Sequence, residues 1–302
     1  MTQKTWFITG SSRGFGREWA IAALDRGDQV VATAREVATL ADLKATYGEL
    51  ILPLALDVTD RSAVTTVVQQ AIKRFERLDV VINNAGYGQF GMVEELSEAE
   101  AREQIETNLF GALWVTQAVL PQLRAQGSGH IIQVTSIGGI TAFANIGMYH
   151  ASKWALEGLS QALAREVEAF GINVTLVEPG GYATDWGGSS AKHATPIDAY
   201  DEAREQNARL RARRGASPGD PFATRAAILT VVDAARPPLR IFFGDGPLAL
   251  ATADYESRLS LIHICTTSQR RNHARFSSSL TRPTNTTEGL RATCLLYTSR
   301  CV

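Results

Sequence analysis

Between Thr5 and Phe243, short runs of β-branched and aromatic residues alternate with longer amphipathic segments, and this alternation restricts the chain more than any single motif. The runs fall at Thr5–Thr9, Gln29–Ala34, Ile51–Leu56, Asp79–Asn83, Gly129–Thr135, Asn173–Val177 and Arg240–Phe243. Strands separated by helical patterns need crossover connections, which makes them parallel and covers both faces of their sheet. Seven such strands predict an α/β fold, a doubly wound parallel sheet flanked by helices. Ligands of such sheets bind beyond the carboxyl ends of the strands, so the residues just after each run are the functional candidates.

The first run leads into Thr9-Gly10-Ser11-Ser12-Arg13-Gly14-Phe15-Gly16 and then into a helix expected over about 17–26. Gly10, Gly14 and Gly16 permit a tight turn and let a phosphate approach the helix N-terminus, where free N–H groups and the helix dipole favour an anion. Ser12, Arg13 and Phe15 share that turn. A G-x-x-x-G-x-G spacing is also that of a plain strand-to-helix turn, so the cofactor reading leans on the ends of the later runs.

At the end of the second run, Val31-Ala32-Thr33-Ala34-Arg35, the place of an acid that would bond the ribose hydroxyls of NAD holds Ala34. Arg35 and Arg13 offer two guanidiniums suited to a 2′-phosphate, so NADP(H) is expected in preference to NAD(H), with Glu36 the dissenting residue. Asp57-Val58 ends the third run, where Asp57 could hold an adenine amino group, while Thr59 is equally placed to cap the next helix. Asn84-Ala85-Gly86 ends the fourth run with small residues against which a flat ring can lie, a string that a simple turn would also explain.

Tyr149 and Lys153 stand four apart in the amphipathic segment Met148 to Phe170 and so share one helical face. An ammonium beside a phenol stabilises phenolate, which would make Tyr149 a general acid or base. Such pairs are common on helices; what singles this one out is Ser136 just after the fifth run, placed to hold a substrate oxygen between itself and Tyr149. His150 points about 100° away around the helix and is given no catalytic role.

With Pro179-Gly180-Gly181-Tyr182-Ala183-Thr184 after the sixth run, these strings together resemble the short-chain dehydrogenase/reductase family in its compact single-domain form, over about residues 4–258. The resemblance implies a Rossmann-type fold with cofactor contacts also from Tyr149, Lys153, Pro179, Gly180 and Thr184. It assigns Lys153 to the nicotinamide ribose and to lowering the Tyr149 pKa, and Ser136 to polarising a carbonyl. Asn108, in Thr107-Asn108-Leu109-Phe110-Gly111, would hold a water linking Lys153 to solvent. The implied activity is an NADP-dependent oxidoreductase interconverting a secondary alcohol and a ketone or aldehyde by hydride transfer. A homodimer or homotetramer is implied with it.

One domain is expected over residues 1–259, with the Gly- and Pro-interrupted segment 181–220 as a substrate lid. Phe90, Met92, Ile140, Phe143, Ile146, Met148, Tyr182 and Trp186 suggest an apolar pocket, and hence a lipophilic substrate. The chain is similar to the family branch related to 17β-hydroxysteroid dehydrogenases. Two alternatives stand beside this reading. Arg204, Arg209, Arg211, Arg213 and Arg214 could greet an acidic carrier, as in a 3-oxoacyl thioester reductase, or the chain could be an NADPH-binding sensor without turnover.

Residues 260–302 read as a non-native or disordered tail: they are Ser/Thr-rich, hold all three cysteines, Cys265, Cys294 and Cys301, and carry six arginines against the single acid Glu288. No metal site or disulfide is inferred from them. The remaining 1–259 carry 24 basic and 30 acidic side chains, which gives no electrostatic case for nucleic acid. No apolar run approaches the ~18 residues of a membrane span, and the first strand begins too early for a signal peptide, so a cytoplasmic protein acting on a small molecule is expected.

Overall fold

The computed structural model describes residues 2–213 and 218–274, and the chain divides into two units, 1–254 and 255–302. The strands are β1 (Thr5–Ile8), β2 (Gln29–Ala34), β3 (Ile51–Ala55), β4 (Val80–Asn83), β5 (Gln89–Phe90), β6 (Gly129–Val134), β7 (Ile172–Pro179), β8 (Lys192–His193) and β9 (Arg240–Phe243). Seven of them form one parallel sheet in the order β3-β2-β1-β4-β6-β7-β9, while β5 and β8 pair with each other. Each expected run is a strand of this sheet, within about two residues at its ends.

The helices are α1 (Gly14–Asp25), α2 (Ala41–Tyr47), α3 (Arg61–Phe75), α4 (Glu98–Ile105), α5 (Gly111–Gln126), α6 (Gly147–Val167), α7 (Asp201–Arg213), α8 (Thr224–Asp233) and α9 (Pro247–Ala274). The pleat divides the core into two layers. Trp6 and Ile8 of β1 point to one face, where α1 and α8 supply Trp19, Leu24, Ile228 and Val232. Phe7, between them, points to the other face, against Val64 and Val68 of α3 and Val115 and Val119 of α5. Each such fully buried side chain contributes roughly 1.5–3 kcal/mol.

The chain reverses direction across the sheet between β1 and β4, the crevice at which ligands of this topology bind. Helix α1 starts at Gly14, three residues before the expected start, so the glycine turn itself is the helix N-terminus. The cap of α3 is Asp60, whose carboxylate accepts from the Ser62 and Ala63 amides; Thr59 instead donates its hydroxyl to Asp57. Between α4 and α5 the chain forms one π-helical turn, Glu106–Phe110, which contains Asn108. Helix α9 continues past Leu259 to Ala274, where the sequence offers no apolar period, and residues 275–302, with Cys294 and Cys301, lie outside the described residues. Among the described residues no helix is long and apolar enough to cross a membrane.

Candidate active site

A cleft of about 1080 Å³ opens at the carboxyl ends of the strands. At one end lies the glycine turn. Gly10 has φ of +66°, a left-handed conformation, and a side chain there would meet the backbone of Ala85 at 3.0 Å. Gly16 is buried beneath it: an added Cβ would collide with the Gly10 carbonyl and lie 2.5 Å from the Asn84 amide nitrogen. So Gly16 does not line the cleft, although Gly10, Ser12, Arg13, Gly14 and Phe15 do. The bare glycine backbone at the start of α1 fits a dinucleotide's phosphates.

Arg35 is exposed on the cleft wall beyond β2, next to Ala34. Arg13 is also exposed but reaches across to the 181–220 segment, donating to Ser189 at 3.0 Å with Asp185 at 3.6 Å. Asp57 and Val58 line the wall too; the Asp57 carboxylate accepts from the Thr59 amide and hydroxyl, while Val58 is buried against Gly111. Asn84 acts as a buttress, its amide donating to the carbonyls of Thr9 and Gly10, and Ala85 and Gly86 continue the wall. Asn108 stands behind Gly86, outside the lining: its amide nitrogen donates to the Tyr87 carbonyl at 3.0 Å and to Ser152 at 3.1 Å, and its oxygen accepts from the Tyr87 amide.

The other end holds Ser136, Tyr149 and Lys153. Ser136 follows β6, and its oxygen accepts from the Gly138 amide at 3.0 Å. Its hydroxyl and that of Tyr149 are hydrogen-bonded to each other. The Lys153 ammonium donates to the Val134 carbonyl at 2.8 Å and lies 5.8 Å from the centre of the Tyr149 ring. Burial pushes the Tyr149 phenol up to about 12, opposed only by Ser136, and burial brings Lys153 down to about 8, opposed by the Glu157 charge. In the protein without cofactor, desolvation of the phenolate therefore outweighs the Ser136 hydroxyl that opposes it. Pro179, Gly180 and Thr184 close this end, with Gly180 donating to the Phe243 carbonyl at 2.9 Å.

His150, which the sequence leaves without a role, is a structural part of the site. Its Nδ1 lies 2.8 Å from the Gly138 carbonyl, and its Nε2 accepts from the Phe143 amide at 2.8 Å. These partners fix one neutral tautomer, with the proton on Nδ1. The ring staples the segment carrying Ser136, a role invisible in sequence because both partners belong to a loop with no period of its own.

Of the expected pocket residues, Phe90, Phe143, Ile146, Tyr182 and Trp186 line the cleft. Met92, Ile140 and Met148 do not: Ile140, for example, packs with Ile137 and Ala251 in the core. Trp186 lies against Tyr149 and Phe90, with ring centres 4.8 and 5.3 Å apart. The wall carrying Trp186 is joined to the body by β8, whose neighbourhood donates to the carbonyls of Gly88 and Phe90. Beyond it, Arg204 of α7 pairs with Glu95 and Asp201, and Tyr200 donates to Glu94.

A doubly wound sheet with a glycine turn at one end of its cleft and a hydrogen-bonded Ser/Tyr pair beside a buried lysine at the other defines a Rossmann-type oxidoreductase. The family model described as short chain dehydrogenase matches residues 4–195. Oxidoreductase BOA17 of Botryotinia fuckeliana (strain B05.10) is 44% identical over 243 residues, which cover 80% of this chain and 89% of that protein. The crystal structure of a short-chain dehydrogenase from Streptomyces avermitilis is similar with a TM-score of 0.81 at 38% identity, covering 89% of this chain and 98% of that one. An alcohol dehydrogenase from the archaeon Thermococcus sibiricus, complexed with 5-hydroxy-NADP, gives a TM-score of 0.64 at 28% identity, covering 80% and 96%. The chain belongs to the short-chain dehydrogenase family, whose members use nicotinamide cofactors.

Proposed function

We propose that this oxidoreductase interconverts an alcohol and the corresponding ketone or aldehyde, of apolar, ring-containing character, with NADP(H) as cofactor and Tyr149 as the proton donor and acceptor. The observation that carries the reading is the meeting of the Ser136 and Tyr149 hydroxyls in a cleft that also holds the glycine turn. Arg35 beside Ala34, with no acid in that place, supports the phosphorylated cofactor, as does the related alcohol dehydrogenase complexed with 5-hydroxy-NADP. Trp186, Phe90 and Phe143 support a substrate with a flat apolar body.

The chain's own residues then divide the work. Ser136, held by the Gly138 amide, donates to the substrate oxygen, and Tyr149 donates a proton to the same oxygen in reduction or removes it in oxidation. Lys153 would hold the ribose hydroxyls, and the turn from Gly10 to Phe15 the phosphates. When bound, nicotinamide supplies the hydride in reduction and accepts it in oxidation. Segment 181–220 serves as a lid that excludes water. Of the arginines that could greet an acidic carrier, Arg204 and Arg209 are engaged with Glu95, Asp201 and Glu205, while the side chains of Arg211, Arg213 and Arg214 lie outside the described residues.

The test follows oxidation of NADPH and of NADH across aliphatic, aromatic and polycyclic ketones and aldehydes. Tyr149→Phe is expected to lower kcat by roughly 10²–10⁴ while cofactor still binds. Arg35→Ala is expected to weaken NADPH about tenfold or more and NADH little, the share of a charge-assisted hydrogen bond. Turnover unaffected by Tyr149→Phe would refute the assignment.

A further inference from the structure

One turn beyond Lys153 on the same face of α6 stands Glu157, largely buried, and beside it on β7 stands Glu178, fully buried. Both carboxylates face a single guanidinium from β9: Arg240 Nε lies 3.1 Å from Glu157 Oε2 and 3.3 Å from Glu178 Oε1. The Arg240 Nη2 is engaged with Gln161 at 3.2 Å. On the α6 side the charge is Lys153, committed to the Val134 carbonyl, and just past β6 the Thr135 hydroxyl, which donates to the Val177 carbonyl at 3.2 Å, also adjoins Glu157. Among the described residues neither oxygen of Glu178 has a hydrogen-bond donor. Two ionised carboxylates facing one guanidinium would leave that trio with a net negative charge in a dry place, offset only in part by Lys153 one turn away. One proton between them makes the group neutral and supplies a missing donor.

The pair also touches the catalytic segment. A Cβ on Gly139 would meet Glu157 Cγ at 3.0 Å and Oε1 at 3.3 Å, so the turn Ile137–Gly139 that follows Ser136 rests directly on this carboxyl group. We infer that Glu157 and Glu178 share one proton, and that the neutral pair on Arg240 is a positioning unit that seats the Ser136 segment and the α6 turn bearing Lys153. Its catalytic consequence rests on the proposed reductase activity; the shared proton does not. Burial pushes both carboxyls up, Glu178 to about 8, with the Glu157 charge adding to it. The proton is therefore held at neutral pH and leaves under mildly alkaline conditions, when repulsion lifts Glu157 away from Gly139.

Glu178→Gln and Glu157→Gln, each in the full chain, separate the possibilities, because glutamine keeps the shape and supplies a donor but cannot ionise. The infrared spectrum at pH 7 should contain a protonated-carboxyl C=O band that fades as pH passes about 8 and is missing from both variants. Hydrogen exchange of residues 135–143, compared at equal pH, should show protection lost above pH 8 in the parent and retained in Glu178→Gln. For ketone reduction, the parent should lose up to about tenfold per pH unit above that value relative to Glu178→Gln, with the two within about threefold at pH 7. Absence of the band overturns the shared proton. A band with identical exchange in parent and variant overturns the positioning role, and a chain that reduces no carbonyl compound sinks the reductase reading while the first two measurements still decide this one.

Discussion

Replacing His150 by Phe keeps a ring in a site that is 4% exposed but removes both nitrogens that staple the Ser136 segment. The Gly138 carbonyl and the Phe143 amide are then left without the partners they have at 2.8 Å. Leaving the buried Gly138 carbonyl unpaired costs about 1–3 kcal/mol, so the closed form of residues 137–143 loses about that much. Water can reach these groups if the segment opens, which makes local opening cheaper than global unfolding. Taking the middle of that range, about 2 kcal/mol reduces the population of the closed form about 30-fold, since every 1.4 kcal/mol is tenfold. The expected result is a comparable fall in kcat/KM, faster hydrogen exchange confined to residues 137–143, and little change in the exchange of β1 or β4. Acid should mimic the substitution. Burial holds the imidazole below its ordinary 6.5, so the segment keeps its full stability above 6.5 and loses it as pH falls through the lower folded value, when an Nε2 proton confronts the Phe143 amide. A variant whose turnover and exchange at pH 7 stay within about twofold of the parent would refute the reasoning.

Two further substitutions probe the ends of the cleft. Gly16→Ala forces a methyl against the Gly10 carbonyl and the Asn84 amide, and overpacking of this kind costs about 1–3 kcal/mol; calorimetric titration should show cofactor affinity lost with the sheet still folded. Arg204→Gln removes the partner of the buried Glu95 carboxylate, which also accepts from the Met92 and Ile197 amides. Substrate KM should rise several-fold with cofactor affinity unchanged, and a parallel loss of cofactor binding would show that Arg204 does not act through the substrate end of the cleft alone.

The sheet is legible because parallel strands are covered on both faces, which leaves near-continuous apolar runs such as Trp6 to Ile8 and Val30 to Ala34. The apolar run of β7 ends at Val177, yet the strand continues through Glu178 and Pro179. A buried glutamate is tolerated there only because Arg240 arrives from β9, far along the chain. Strands β5 and β8 have two residues each and no period to detect. In the site, Tyr149 and Lys153 can be found from helical spacing, whereas the phenol's upward shift comes from burial, a property of the assembled fold. His150 is the same lesson in geometry: its neighbours in sequence do not reveal that it reaches back across the loop to Gly138.

The pairing of β8 with β5 has an implication for how this cleft can change. The Lys192 and Ala194 amides bond to the Gly88 and Phe90 carbonyls, and the side chains of β8 reinforce the join, Lys192 pairing with Glu103 at 2.6 Å and His193 stacking on Phe90 with ring centres 5.0 Å apart. Residues just before the join, Ser189 to Ala191, face the cleft and can be exchanged without loosening it. A library confined to those three positions, which leaves Trp186 against Tyr149, would vary the wall of the cleft while Ser136, Tyr149 and Lys153 stay where they are.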